Sequence, residues 1–151
     1  MSEKIPPFKK PSKKHQPQGL TILYEDRDIL VVNKVNGLLT ISTEREREKT
    51  AYFLLTDYVK KGNPRSKSRI FIVHRLDRDT SGILVFAKTE RVKRFLQDNW
   101  ADFSKTYIAV AHGVFSKKED VISSYLLENS MHVMYSSDDT KRGQFAKTGY
   151  K

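Results

Sequence analysis

The stretch that most constrains this chain is HRLDRDTSG, His74 to Gly82, set between two short apolar runs. Ile70, Phe71, Ile72 and Val73 lead into it, and Ile83, Leu84, Val85, Phe86 and Ala87 lead out. Runs this short, rich in β-branched and aromatic residues, suit buried strands rather than helices. Thr80-Ser81-Gly82 supplies a turn signal between them. Charged residues on a loop held by two rigid strands are in the position that binding and catalytic groups occupy.

Residue chemistry alone leaves alternatives open at that loop. Asp77 beside Arg75 suits an ion pair closing the loop, and equally an accessible carboxylate able to act as nucleophile or base. Asp77 and Asp79 provide too few oxygens at suitable spacing for a metal site. Ser81 lacks the G-x-S-x-G setting of a nucleophile elbow. The four histidines, 15, 74, 112 and 132, show no metal-ligand spacing.

His74 to Leu84, read as HRLDRDTSGIL, resembles the HRLD-x-x-TSG signature of the RluA family of RNA pseudouridine synthases. The paralogous RsuA branch usually has Gly where this chain has His74. The resemblance implies that Asp77 is the catalytic aspartate acting on the target uridine. It implies that Arg75 fills the stack around the extruded base, with His74 and Thr80 lining the same substrate loop. Lys34-Val35-Asn36-Gly37 resembles the family's K-P-x-G motif, with Val35 where Pro is usual. The expected fold is α+β, a mixed and mostly antiparallel sheet with flanking helices, the N-terminal portion of the pseudouridine synthase fold.

Composition agrees in class. The 151 residues carry 28 Lys+Arg against 18 Asp+Glu, a net charge of +10, which favours a polyanionic partner without distinguishing RNA, DNA and anionic membrane. With no cysteine, disulfides, thiolate metal sites and Cys nucleophiles are excluded together. No apolar run approaches the roughly 18 residues of a membrane span, and no signal-peptide core opens the chain, so a cytoplasmic location is expected. Length suits one catalytic domain over residues 20–151, after a basic Pro/Lys-rich tail over 1–19 that reads as disordered.

Within that domain, Ile22–Tyr24 and the β-branched run Ile29–Val32 read as strands, the second covered on both faces. Thr50 reads as an N-cap for a helix whose stripe is Ala51, Leu54, Leu55 and Tyr58, stopped at Gly62-Asn63-Pro64. The preceding EREREK, Glu44–Lys49, reads as a solvated helical approach. Thr89 is the expected N-cap of a second helix with Val92, Phe95, Leu96, Trp100 and Phe103 on one face. Trp100 reads as core rather than a base-stacking platform. The run Lys60–Arg69, KKGNPRSKSR, holds Lys60, Lys61, Arg65, Lys67 and Arg69 with no acid, and is a candidate phosphate-contacting loop.

Lys105 to His112 reads as a strand by period 2, with Tyr107, Ala109 and Ala111 on one face. Lys105-Thr106-Tyr107 resembles the family's K-x-Y motif, which implies that Tyr107 stacks on the target base. Asp120–Leu127 and His132–Tyr135 read as further strands, and Gln144–Tyr150 begins an alternating pattern like the family's A-x-T strand. Nothing here matches the family's later R-x-H-Q-I-R strand, whose arginine pairs with the catalytic aspartate. The catalytic domain is therefore expected to be incomplete at its C-terminus.

The activity implied is isomerisation of specific uridines in ribosomal or transfer RNA, by a monomer, with no metal, no small-molecule cofactor and no membrane partner. Extruding the base costs a few kcal/mol, which aromatic and Arg side chains help offset. Two other readings stand beside it: an RNA-binding module left catalytically incomplete, and a general anionic-surface binder whose DxD loop is structural.

Overall fold

The computed structural model describes residues 11–12, 15–131 and 133–151. Most of the expected tail, and His132, lie outside the described residues. The part of the tail next to the domain is tied down. Gln16 Oε1 accepts from the Ile22 amide at 3.0 Å, and Gly19 C=O accepts from the Val35 amide at 3.1 Å. Residues 16–19 thus belong with the sheet.

The chain divides into two compact units, Met1–Lys105 and Thr106–Lys151. In the first, β1 (Leu20–Glu25), β2 (Ile29–Lys34), β3 (Phe71–Ile72) and β4 (Gly82–Ala87) form one sheet in the order β1-β2-β4-β3. Every pairing in it is antiparallel. Strand alternation sends Leu30, Val32, Leu84 and Phe86 to one face, where they pack with Ala51, Leu55 and Val59 of α1 (Ala51–Lys60). Val73 and Ala87 pack on α2 (Glu90–Asp98) through Val92, with Ile29, Phe71, Leu96 and Trp100 around them. This gives a helix on each face of the sheet, which is why the runs in β2 and β4 are nearly continuous in apolar residues.

Both helices begin as expected. Thr50 Oγ1 accepts from the Phe53 amide and Thr89 Oγ1 from the Val92 amide, each at 3.2 Å. The α1 stripe runs through Ala51, Leu55 and Val59, with Leu54 and Tyr58 half-buried beside it. On α2 the expected face is narrower than the spacing suggested: Phe95 is 62% exposed and Phe103 41% exposed.

Three other expectations change. Only Phe71 and Ile72 of the Ile70–Val73 run join the ladder. Beyond them His74 Nε2 takes the Val85 amide at 3.1 Å, and Gln97 Nε2 donates to the Ile72 and Val73 carbonyls at 3.4 and 3.2 Å. Side chains there replace ladder bonds. Glu44–Lys49 forms turns rather than a helix, with Thr43 Oγ1 accepting from the Glu46 amide and Glu46 Oε1 from the Lys49 amide. An all-polar segment has no face to bury, and packing is what sustains most short helices.

Lys105–His112 is not a strand: it has no ladder partner among the described residues, and Ile108 and Val110 are fully exposed. An extended segment becomes a strand only when a neighbour takes its amides and carbonyls. The second unit is built from β5 (Asp120–Glu128), β6 (Met134–Ser137) and β7 (Gln144–Tyr150), antiparallel in the order β6-β5-β7. Among the described residues of this unit none is buried.

Phe86 of β4 is fully buried in the core cluster that includes Leu55 and Val59 of α1, so Phe86→Ala should cost about 3–5 kcal/mol in urea denaturation. Phe95→Ala, at an exposed position, should stay within about 0.5 kcal/mol of the parent.

Candidate active site

The 73–81 loop runs beside β4 to the end of the strand where Gly82 pairs with Lys34. Its backbone is pinned on both sides of Asp77. Before it, buried Thr40 makes two bonds to Leu76: Thr40 Oγ1 donates to the Leu76 carbonyl at 2.6 Å and accepts the Leu76 amide at 3.2 Å. The Leu76 side chain itself joins the core under α1. After it, the Arg78 carbonyl accepts from the Gly37 amide at 2.8 Å and from Lys34 Nζ at 3.1 Å.

Lys34 is the centre of this arrangement. Its side chain has no solvent exposure, and its three N–H groups go to the carbonyls of Val35, Leu38 and Arg78 at 3.1, 2.7 and 3.1 Å. One ammonium thereby joins the turn after β2 to the loop carrying the carboxylates. Burial pulls the Lys34 pKa below the usual lysine value, and the charges of Asp79 and Asp77 oppose that pull. Arg78 Nε adds a bond back to the Gly37 carbonyl at 3.2 Å.

His74 is an internal group. Its Nε2 accepts the Val85 amide, so the ring proton sits on Nδ1, and the ring stacks on Trp100 with centroids 4.5 Å apart. Burial lowers its pKa, outweighing a backbone hydrogen bond at Arg75 that raises it; the Lys105 charge lowers it further. Trp100 is therefore occupied by His74 on the α2 side of the sheet, in keeping with a core role.

Arg75, Asp77, Asp79 and Ser81 are exposed, and Thr80 is half-buried with its amide on the Asp77 carbonyl at 3.2 Å. Among the described residues Asp77 and Arg75 make no ion pair, so the loop is not closed by a bridge between them. The arrangement offers a carboxylate on a fixed backbone, with the buried Lys34 charge nearby and no hydrogen bond or ion pair of its own among the described residues. No group of three or more acids and histidines poised for a metal occurs among the described residues.

The other expected residues fall elsewhere. Lys61, Lys67 and Arg69 line a cleft with Lys88 and Thr89, at the Ala87 end of β4. That is about 17 Å along the strand from Gly82, at roughly 3.3 Å per residue. Lys60 closes α1, and Arg65 is exposed in the turn after it, its amide on Asn63 Oδ1. Tyr107 belongs to the second unit, where it is 63% exposed. Sequence reasoning missed Thr40 altogether, since nothing marks a lone threonine. It noted Lys34 only as part of a turn motif, since lysine is among the residues least often buried.

A family model described as RNA pseudouridylate synthase matches residues 28–151, which include the whole loop and its Lys34 support. The chain belongs to that family. It is 33% identical over 137 residues to ribosomal large subunit pseudouridine synthase D of Borreliella burgdorferi, covering 87% of this chain and 42% of that protein. It is 28% identical over 106 residues to tRNA pseudouridine synthase C of Haemophilus ducreyi, covering 68% of this chain and 41% of that one. The solved structure of human RNA pseudouridylate synthase domain containing 4 shares the fold, with a TM-score of 0.61 at 18% identity over 85% of this chain and 51% of that one. The chain thus spans about two fifths of the length of these two bacterial synthases. Within the pseudouridylate synthase fold, the Asp77 loop joins β3 to β4, two adjacent antiparallel strands.

The supports of this loop are open to test by substitution and by pH. Thr40→Val keeps shape but strands the buried Leu76 carbonyl; it should cost about 1–3 kcal/mol and speed amide exchange at Leu76. Because the folded pKa of His74 lies below its ordinary 6.5, the folded state holds fewer protons than the unfolded state below that pH. Stability should fall as pH drops from 6.5 through the lowered folded value, and the fall should be smaller in His74→Gln. NMR titration of the His74 ring should give a midpoint below 6.5.

Proposed function

We propose that this chain serves RNA pseudouridine synthesis, with Asp77 as the carboxylate that acts on the target uridine. The reaction breaks the N1–C1′ bond, turns the uracil and forms a C5–C1′ bond; N1 gains a proton and C5 loses one. Atoms and electrons balance without an oxidant or a coenzyme. Asp77 supplies the nucleophile or the base, by attack on ribose or uracil or by proton abstraction. The observation that carries this assignment is the contrast within the loop. Its backbone is fixed at Leu76 and Arg78, while the carboxylate between them is exposed and unbridged among the described residues.

Arg75 and Thr80, on the same loop, are assigned to holding the extruded nucleotide. Tyr107 is assigned to stacking on the uracil, by its place in Lys105-Thr106-Tyr107. The substrate is ribosomal or transfer RNA, in keeping with the activities named for the two bacterial relatives. The protein acts as a monomer in the cytoplasm. Among the described residues no helix is long and apolar enough to cross a membrane.

A second reading, RNA binding without turnover, draws support from the exposed, unladdered segment that carries Tyr107. One variant separates the two. Asp77→Asn should lower pseudouridine formation at least about 100-fold, followed by tritium release from 5-tritiated uridine in RNA, while RNA affinity stays within about threefold. Equal turnover in parent and variant overturns the Asp77 assignment. No turnover in the parent, with RNA still bound, establishes the second reading.

A further inference from the structure

We propose that the cleft at the Ala87 end of β4 is a second RNA subsite, taking backbone phosphates several nucleotides away from the base that Asp77 acts on. The proposal rests on the RNA reading above and extends it to a surface remote from the loop. The cleft measures about 470 Å³, and its walls bring together cations from four separate parts of the chain. Arg27 comes from the β1–β2 turn, Lys61 from the end of α1, Lys67 and Arg69 from the loop before β3, and Lys88 from the end of β4. Lys61, Lys67 and Arg69 share one basic run, and only the tertiary fold brings Arg27 and Lys88 to it.

The acids on the same walls are already engaged. Glu25 pairs with Lys88 at 2.9 Å and accepts from Tyr58 at 2.9 Å, and Lys88 is further held by the Asp26 carbonyl at 2.6 Å. Glu90 faces Lys93 at 3.6 Å and Arg94 at 3.5 Å along its own helix. Lys61, Lys67 and Arg69 have no carboxylate within ion-pair reach among the described residues; Arg69 lies over the Phe71 ring at 4.9 Å. Clustered cations repel one another, and an anion that bridges them removes that cost. Thr89, the N-cap of α2, also lines the cleft, so the positive end of the helix dipole adds to the same field.

Arg27 is paired with Asp28 at 3.3 Å and Lys88 with Glu25, which leaves Lys61, Lys67 and Arg69 unpaired among the described residues. An open cleft with three such cations suits a chain of phosphates better than one small ligand. Its distance from the Asp77 loop, about 20 Å from Gly82 to Lys88 at roughly 3.3 Å per residue, sets a length requirement. At about 3.4 Å per nucleotide, the spacing along one strand of a stacked duplex, an RNA strand covers that distance in about six nucleotides. A stacked oligonucleotide of about four nucleotides seated at the loop falls short of it.

The test uses the full chain and fluorescent oligouridines of about four and about twenty nucleotides. Lys61 and Lys67 are both exposed, so Lys61→Gln/Lys67→Gln should fold like the parent, which circular dichroism checks. For the long RNA the variant should bind about tenfold more weakly at low salt. The slope of log affinity against log salt should fall by about 1.4, at roughly 0.7 for each single-strand phosphate no longer neutralised. Binding of the short RNA should be unchanged. Lys147→Gln/Lys151→Gln, with the same loss of charge elsewhere on the surface, should leave both affinities near the parent's. An unchanged slope for the long RNA, equal losses for both lengths, or an equal loss in the Lys147/Lys151 variant overturns the subsite. Polyglutamate binding as tightly as the long RNA, through the same two lysines, overturns its assignment to RNA. A parent that binds neither RNA overturns the RNA reading of the protein itself.

Discussion

Beneath the turn that carries the carboxylates lies one ammonium group, Lys34 Nζ, sealed from solvent and bonded to three main-chain carbonyls. A buried cation is costly unless each N–H is matched, and here each is. Those carbonyls come from two segments far apart in sequence, the 35–38 turn and Arg78, so the cation holds its energy minimum only when both are in place. Thr40 does the same from the other side through Leu76. Asp77 is thereby fixed by its neighbours' backbone, and its own side chain is left uncommitted. Rigid supports around an unspent functional group are the condition for positioned chemistry.

The sheet explains how such a loop can be held. β4 lies between β2 and β3, with α1 covering one face and α2 the other, so its ends are stationary. One end carries the Asp77 loop and the other meets the basic cleft. The same six-residue strand thus sets the span between the proposed chemical site and the proposed phosphate site. On the α2 side, neutral His74 substitutes for a strand carbonyl at Val85 and stacks on Trp100, so an imidazole in a motif of charged residues serves the frame.

Much of the first unit was legible in residue order. Short apolar runs flanked by turn residues located β1, β2 and β4, and Thr50 and Thr89 marked both helix starts, because strand burial and N-capping are local in sequence. Misreadings arose where a distant partner decides. Lys105–His112 has the alternation of a strand but no ladder partner among the described residues, and Glu44–Lys49 has helix-forming residues but is almost wholly exposed. Phe95 has helical spacing with the core face yet points to solvent, since a 10–12 Å-wide helix touches the sheet along a narrower line than the stripe suggests.

Residue order by itself determined that this chain bears an Asp-containing loop between two buried strands, carries an excess of positive charge, and resembles RNA pseudouridine synthases. The resemblance implied the antiparallel α+β class, while periodicity and capping, which need only neighbours a few residues away, located its strands and helix starts. Tertiary structure alone decided that Lys34 and Thr40 hold the loop, that His74 is spent on the backbone, and that the basic run lies at the far end of β4 from Asp77. Those facts depend on which distant carbonyls, amides and charges the folded chain brings together or keeps apart; hydrogen bonds form only at about 3 Å, and which groups come that close is decided by the fold.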